Sequence, residues 1–593
     1  MIYLVQTTEK MKAAYSWLKS EPTLGADIET TGLDPLVDKT LLIQLGTPKH
    51  QCVFDMARLK EEDRAYIYKI LESPNILKVF QNGKFDYKFL KHDLGVTVKN
   101  MADTMIIEQL LTKGVKMKGF GLGELAEKYR AGKLDKTIRK QFQEMEYGDD
   151  FTKEAIEYAA DDVKVTPVIY HAQLKIAKEK GMLKLVDLEN HAVRVNAEME
   201  LNGIYIDQDK WLDLESAAIA ERDAAEADLQ KHFEPYYPMN LFGKLDINYG
   251  SWQQMKPALE KVMGFELENT NDKYLKQYNN DDNPVIKDLM RWRKASKKIS
   301  TYGSEFLEHV HPISKRIHAK YLQLGTDSGR ESCTNPNMQN IPHQQEYRTP
   351  FCVQDPDWRF ISADFASQEL RVLTQLSGEP AWLKAIEDGR DLHSMVASMM
   401  FKVPEEDCQK DSPNDYRSKA KAIGFGTVYG LSAYGLAKQL EIEPTEAKQL
   451  LNTFFTSFPN IKKFLEERER ITKQLKCAVS PLDGRLRDLG NIDWDDWRKR
   501  GHALNIGKNH PIQGASASIT KLAMIKIQNY IDDNNKQAKI VAVIHDEVLV
   551  ECHKDIAEEM ADVVSTKMCE AFNHYCPDVP MTVKPDVGTH WIH

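Results

Sequence analysis

Apolar and polar positions along residues 1–190 switch between two periods. Leu41-Leu-Ile-Gln-Leu and Cys52-Val-Phe are short apolar runs of strand length, and Asp27-Ile-Glu-Thr-Thr-Gly follows a predicted first strand. Helical patterns come after them, so this stretch predicts an α/β unit. Residues 200–320 predict mostly helix, interrupted by Pro, Asn and Gly near 235–250 and by Asn/Asp-rich punctuation at 279–284. Helix is predicted again over 371–475. Lys539-Ile-Val-Ala-Val-Ile-His-Asp-Glu-Val-Leu-Val-Glu stands apart, because two β-branched runs flank His-Asp-Glu. That pattern is a hairpin with polar residues at its tip. No segment repeats.

Composition narrows the class. A chain of 593 residues holds roughly four domains at about 150 residues each. Hydrophobic residues at 42% and charged residues at 28% suit a globular protein with a large core. Eight scattered cysteines without a C-x-x-C exclude a disulfide framework and a zinc site, and predict a reducing compartment. No apolar run reaches the roughly 18 residues of a membrane span, and the N-terminus lacks a signal-peptide pattern, so a soluble intracellular chain is expected.

Charge changes the picture only when it is localised. The total of −10 argues weakly against a nucleic-acid partner. Residues 203–288 hold 9 Lys/Arg against 17 Asp/Glu, whereas 289–330 hold 9 against 3, including Arg291, Arg293, Lys294, Lys297 and Lys298. Two readings stay open for this run, a solvated helix face and a surface that tracks phosphates.

Two sets of residues carry chemistry. Asp27 and Glu29 stand two apart on strand-like sequence and share a face. Asp86 lies in Gln81-Asn-Gly-Lys-Phe-Asp, and Tyr158 and Asp162 are four apart, neighbours on a helix, with Asp161 beside them. Carboxylates in this number suit Mg²⁺ or Mn²⁺, and a pair of such ions activates water against a phosphodiester. In the second set, Arg417, Lys421, Phe425 and Tyr429 recur at spacing four. Such a row drifts about 120° over roughly 18 Å of helix, so two cations and two aromatics line one side. Cations at one end suit a polyphosphate, and aromatics at the other suit a base or sugar. Asp364 ends a predicted strand after Phe360-Ile-Ser-Ala, and Asp546 and Glu547 occupy the hairpin tip. Acids on a strand end and a hairpin tip converge as two-metal phosphoryl transfer requires.

In order along the chain, these motifs resemble known families. Asp27 with Glu29, Asp86, and Tyr158 with Asp162 resemble the three motifs of the DEDDy 3′–5′ exonuclease domain. Asp364-Phe-Ala-Ser-Gln-Glu-Leu-Arg, Arg417-x₃-Lys-x₃-Phe-x₃-Tyr-Gly and Val543-Ile-His-Asp-Glu-Val resemble motifs A, B and C of family A DNA polymerases. Thr326-Asp-Ser-Gly-Arg, Asn335-Pro-Asn-Met-Gln-Asn-Ile-Pro, Asp391-Leu-His and Asn509-His-Pro-Ile-Gln-Gly extend the resemblance over essentially the whole chain. It implies an α/β and α+β multidomain fold: a ribonuclease H-like exonuclease domain at 1–190, then a right-hand polymerase domain. In the latter, 191–322 would be linker and thumb, 323–370 the first part of the palm, 371–480 the fingers, and 481–593 the rest of the palm. The 5′-nuclease domain that precedes these parts in bacterial relatives is not expected here, which leans toward a phage source.

The resemblance also implies roles. Asp27, Glu29, Asp86 and Asp162 would hold two metal ions, Tyr158 would orient the attacking water, and Leu33 and Asn82 would lie near the substrate. Asp364 and Asp546 would hold a second pair of ions, Mg²⁺ or Mn²⁺, with Glu547 beside them. Arg417, Lys421 and His393 would grip the triphosphate, Lys421 donating a proton to the leaving pyrophosphate. Glu369 would block a ribose 2′-OH, Phe425 would discriminate against dideoxynucleotides, and Tyr429 would stack at the nascent pair. Arg330, Asn509, Gln513 and His545 would contact primer and template in the minor groove, whose acceptors are nearly independent of sequence. Partners would be primer-template DNA, single-stranded 3′ ends and dNTPs, bound by a cytoplasmic monomer in replication or repair. Ser367, where Gln is often found, and Gln344, where Arg is, depart from the pattern and put fidelity and processivity in question. Gly424 and Gly426 interrupt the motif B helix at about 1 kcal/mol each. A nuclease with a merely DNA-binding C-terminal part and a catalytically dead clamp are the competing readings; the intact acids argue against both.

Overall fold

The alternation along Thr23–Thr30 becomes a strand in which buried Ala26, Ile28 and Thr30 alternate with half-exposed Asp27 and Glu29. The computed structural model describes residues 1–115, 119–134, 138–241, 245–410, 412–428, 430 and 432–592. Six strands, β1 (Ile2–Val5), β2 (Thr23–Thr30), β3 (Thr40–Gly46), β4 (Gln51–Asp55), β5 (Leu77–Phe80) and β6 (Met101–Asp103), form a mixed sheet in the order β1-β4-β3-β2-β5-β6. Two expectations are corrected here. Asp27 lies inside a strand rather than after one, and a strand precedes all those predicted. Ile2-Tyr-Leu-Val is too short to display a period, and becomes a strand by pairing parallel with β4.

Helix α1 (Gly83–Leu94) follows β5, and the 27-residue α2 (Lys153–Glu179) lies on β2. Gly25 permits that approach, since a Cβ there would sit 2.2 Å from the Val163 carbonyl oxygen. Helix α3 (Leu183–Asn202) buries polar side chains along its length, Glu189, Asn190, Asn196, Glu198 and Glu200. Each has a partner. Asn190 accepts from the Asp103 amide at 3.0 Å, Tyr87 donates to Glu198 at 2.6 Å, and Asn196 donates to Glu331 at 2.9 Å. Asn202 donates to the Ile540 carbonyl at 2.9 Å. Glu189 accepts from Lys521 at 2.8 and 2.9 Å and from Arg485 at 2.8 Å, with all three side chains out of water. Burial opposes the charge on Glu189, and the two cations more than offset it, holding its carboxyl below the ordinary range.

The chain forms two compact units. Met1–Gly203, Lys320–Gln339 and Asp357–Val587 make one; Ile204–Ala319, Asn340–Pro356 and Gly588–His593 make the other. In the second, α4 (Gln208–Phe233) and α5 (Pro284–Tyr302) pack together over Leu229, Phe233, Met255, Leu259, Ile286 and Leu289. The cationic run of 291–298 is largely spent here. Arg291 binds Glu221, Asp228 and Asp288, Arg293 binds Asp272, and Lys298 binds Glu346, while Lys294 and Lys297 are exposed. Of the two readings of this run, the arginines favour the first: they join neighbouring elements of this unit.

The rest of the first unit is built on a four-stranded sheet of β7 (Trp358–Asp364), β8 (Ala538–Ile544), β9 (Glu547–His553) and β10 (Asp586–Gly588), in the order β8-β9-β7-β10. Helices α6 (Gln368–Ser377), α7 (Leu392–Phe401), α8 (Tyr416–Val428), the 37-residue α9 (Trp497–Asp533) and α10 (Ala557–Tyr575) accompany it. Both strands of the predicted hairpin are buried on both faces, as their continuous β-branched runs require.

Candidate active sites

A cleft of about 950 Å³ opens beside the first sheet, and Asp27, Glu29, Asp86, Tyr158 and Asp162 all line it, with Leu33 and Asn82. Strand β2 presents Asp27 and Glu29, the first turn of α1 presents Asp86, and α2 presents Tyr158 and Asp162 one turn apart. Tyr158 is fixed by packing on Phe142, ring centroids 5.9 Å apart. Asp161, the neighbour, pairs outward with Lys164 at 3.3 Å. Asn82 is left-handed at φ 60°, and its amide and that of Gly83 bond the buried Asp103 carboxylate at 3.1 and 2.8 Å, which sets the start of α1.

Burial pushes the Asp86 carboxyl well above its ordinary range, helped by the negative charges of Asp103 and Glu29. Carboxylates gathered in this way repel one another until a cation joins them, and an all-oxygen donor set fits Mg²⁺ or Mn²⁺. Among the described residues no three carboxylate, imidazole or thiol groups meet closely enough to hold a metal by themselves. An ion here would complete its shell with substrate oxygens and water, as Mg²⁺ habitually does.

The second set converges at the other sheet. Asp364, last residue of β7, stands opposite Glu547, first residue of β9, and Glu547 also pairs with Ile544 across the hairpin. His545 and Asp546 are thus the two-residue turn, so Glu547 begins a strand rather than sharing the tip. His545 is left-handed at φ 59°, a conformation costing a non-glycine residue on the order of 1 kcal/mol. Burial raises the Asp546 carboxyl, Glu369 raises it further, and Arg330 and His545 oppose. Arg330 donates to Glu369 at 2.6 Å, which brings these two predicted residues together in the first turn of α6. Ser367 caps that helix with φ 51° and makes no side-chain cap bond. Gln344, in the second unit, is exposed.

Around α7 and α8, Arg417 makes two bonds to Asp391, at 3.1 and 2.8 Å, and the Ser394 amide adds a third at 2.7 Å. Burial works against the charge of Asp391, but Arg417 and Ser394 outweigh it and hold its carboxyl down to about 2. His393 is pushed down to about 4, mainly by burial and further by Arg417 and Lys421, so it is neutral at pH 7. Lys421 is exposed one turn after Arg417. Phe425 lies on the backbone of α8; its side chain, and Tyr429 altogether, fall outside the described residues. Gly424 and Gly426 are held within α8 without breaking it. On α9, Asn509 and Gln513 are half-buried one turn apart, and the buried Asn509 Oδ1 has no hydrogen-bond partner among the described residues.

Sequence reasoning missed Asp103, Glu200 and the Arg417–Asp391 pair. Asp103 carried a signal, an acid before Thr-Met-Ile-Ile in N-cap position. Glu200 carried none, because its partners Lys84, Lys88 and Tyr321 are remote in sequence.

Residues 222–593 match the family model for DNA polymerase family A, and residues 2–177 match that for the 3′-5′ exonuclease. DNA polymerase I of Chloroflexus aurantiacus is 28% identical over 614 residues, covering 100% of this chain and 63% of that protein. DNA polymerase I of Aquifex aeolicus is 29% identical over 615 residues, covering 98% of each. The chain spans 63% of the length of the Chloroflexus and Borreliella burgdorferi relatives. Among solved structures, the POL domain of Pol1 from M. smegmatis, in complex with DNA primer-template and dNTP, is similar with TM-score 0.84, 26% identity and 99% of each chain covered.

Proposed function

The chain belongs to the family A DNA polymerases, and from that premise we propose that it extends a primer 3′-OH on a DNA template and removes mispaired 3′ ends. The observation that carries this reading is the register that sets Asp364 opposite Glu547 with Asp546 in the adjoining turn. Asp364 and Asp546 would hold two ions, Mg²⁺ in preference to Mn²⁺. When bound, such ions make the attacking oxygen more acidic and neutralise charge on the phosphates. Arg417 and Lys421 bind the triphosphate, and neutral His393 offers it an N–H. Lys421 donates a proton to the departing pyrophosphate. Glu369, held by Arg330, fills the space of a 2′-OH; Phe425 packs on the sugar and Tyr429 on the nascent pair. Arg330, Asn509, Gln513 and His545 contact the duplex, and the unpartnered Asn509 carbonyl supports its share.

In the other cleft, Asp27, Glu29, Asp86 and Asp162 would hold the ions of the excising reaction. Tyr158 orients the water that attacks the terminal phosphodiester. We place the exonuclease at 1–190, linker and thumb at 191–322, fingers at 371–480, and palm at 323–370 and 481–593, in a cytoplasmic monomer. Primer extension with Mg²⁺, comparing matched and mismatched 3′ ends, tests the whole reading. The expected outcome is extension of matched ends and trimming before extension of mismatched ones; failure to extend any primer would overturn it.

A further inference from the structure

We infer that Glu200 is a positioning residue of the excising cleft, holding Lys84 and Lys88 as a two-cation grip on the phosphodiester backbone of a single strand. This rests on the exonuclease reading given above. Glu200 Oε1 accepts from Lys84 Nζ at 2.6 Å and from the Tyr321 amide at 2.7 Å, while Oε2 accepts from Lys88 Nζ at 2.8 Å. Lys84 donates as well to the Tyr321 carbonyl. Glu200 and both lysines line the same cleft as the four acids. The lysines are four apart on α1 and share a helix face, about 200° around from Asp86, two residues from each.

Their electrostatics favour a phosphate. Two ammonium groups against one carboxylate leave a net positive charge, and each lysine has three N–H donors. Lys84 commits two of its donors to Glu200 and Tyr321, and Lys88 commits one to Glu200. Glu200 is only 4% exposed, and burying an acid contributes less to stability than an apolar side chain of its size would. Fixing the lysines gives that burial a purpose. Lys84 also lines an adjoining cleft of about 740 Å³, which shares Asn82, Met105, Gln109, Phe120 and Leu322 with the first. A strand leaving the excising cleft on that side passes this lysine.

The test is steady-state degradation of a single-stranded oligonucleotide over a range of salt, with primer extension as the sign of a folded chain. For Lys84→Met and Lys88→Met, KM is expected to rise about tenfold. The slope of log KM against log salt should flatten by about 0.7 for each lysine lost. Glu200→Ala should raise KM without flattening the salt slope, since both cations remain but are no longer held, and it should add nothing to the KM of the double lysine variant. Unchanged KM and salt slope in the lysine variants, or a Glu200→Ala effect that adds to theirs, would overturn the inference; the lysine variants decide alone if Glu200→Ala loses primer extension. Absence of degradation by the unaltered protein would instead overturn the exonuclease reading.

Discussion

Arg330 Nη2 lies 2.6 Å from Glu369 Oε1, so the side chain proposed to meet the duplex also holds the one proposed to meet the incoming sugar. Glu369→Ala should therefore raise ribonucleotide incorporation relative to deoxynucleotide by about 10²-fold. Arg330→Met, which leaves the gate in place but untied, should raise it less. Single-nucleotide extension with each triphosphate measures both, and an unchanged ratio for Glu369→Ala would remove it from the sugar pocket.

The two acid sets should separate cleanly. Asp546→Ala is expected to abolish dNTP incorporation and leave single-strand degradation, and Asp27→Ala to do the reverse. Gel assays of both activities on both variants check this; extension surviving in Asp546→Ala would sink the palm assignment.

Acid should weaken the fold in a defined window. Burial holds His393 and His510 down to about 4 against an ordinary 6.5. As pH falls below 6.5 the unfolded chain takes up these protons first, so stability declines between pH 6.5 and 4, by up to about 3 kcal/mol per histidine. Asp391, held at about 2 against 3.8, acts lower still, its contribution present above 3.8 and lost as pH falls toward 2. Neither ring nitrogen of His510 has a hydrogen-bond partner among the described residues. His510→Leu should therefore reduce the fall in Tm between pH 7 and 4, followed by circular dichroism.

Lys521→Met should cost about 3–5 kcal/mol in urea unfolding, since it leaves buried Glu189 with Arg485 as its cation and only the neutral Gln323 amide beside it. A loss below 1 kcal/mol would mean that Arg485 suffices.

Phe425→Tyr should ease dideoxynucleotide incorporation, measured as the ratio of chain termination to extension. No change in that ratio would take Phe425 out of the sugar pocket.

The gathering of Asp27, Glu29, Asp86 and Asp162 in one cleft was legible because their ordered motifs resemble those of a known family, and the hairpin was legible because continuous β-branched runs have few other fates. The facing of Asp364 and Glu547 was not, since strand order is decided by pairing across about 180 residues. Polar residues buried along α3 were equally hidden. Glu189 and Asn196 make sense only when Arg485, Lys521 and Glu331 arrive from far along the chain. Net charge could not show that the arginines of the cationic run turn to carboxylates nearby, since those partners lie on other elements.

Strand β7, which ends at Asp364, has β9 on one side and β10 on the other, and Phe365 bridges to Val583. Its second neighbour therefore comes from a strand about 220 residues further along the chain. The first sheet and α2 are complete by residue 179. On the ribosome the four acids and tyrosine of the first cleft can assemble while the strand of Asp364 still has an open edge. On the reading proposed above, a nascent chain would hold the acids of the excising cleft together before those of the extending one, and loss of Asp586–Gly588 would leave that edge of β7 open.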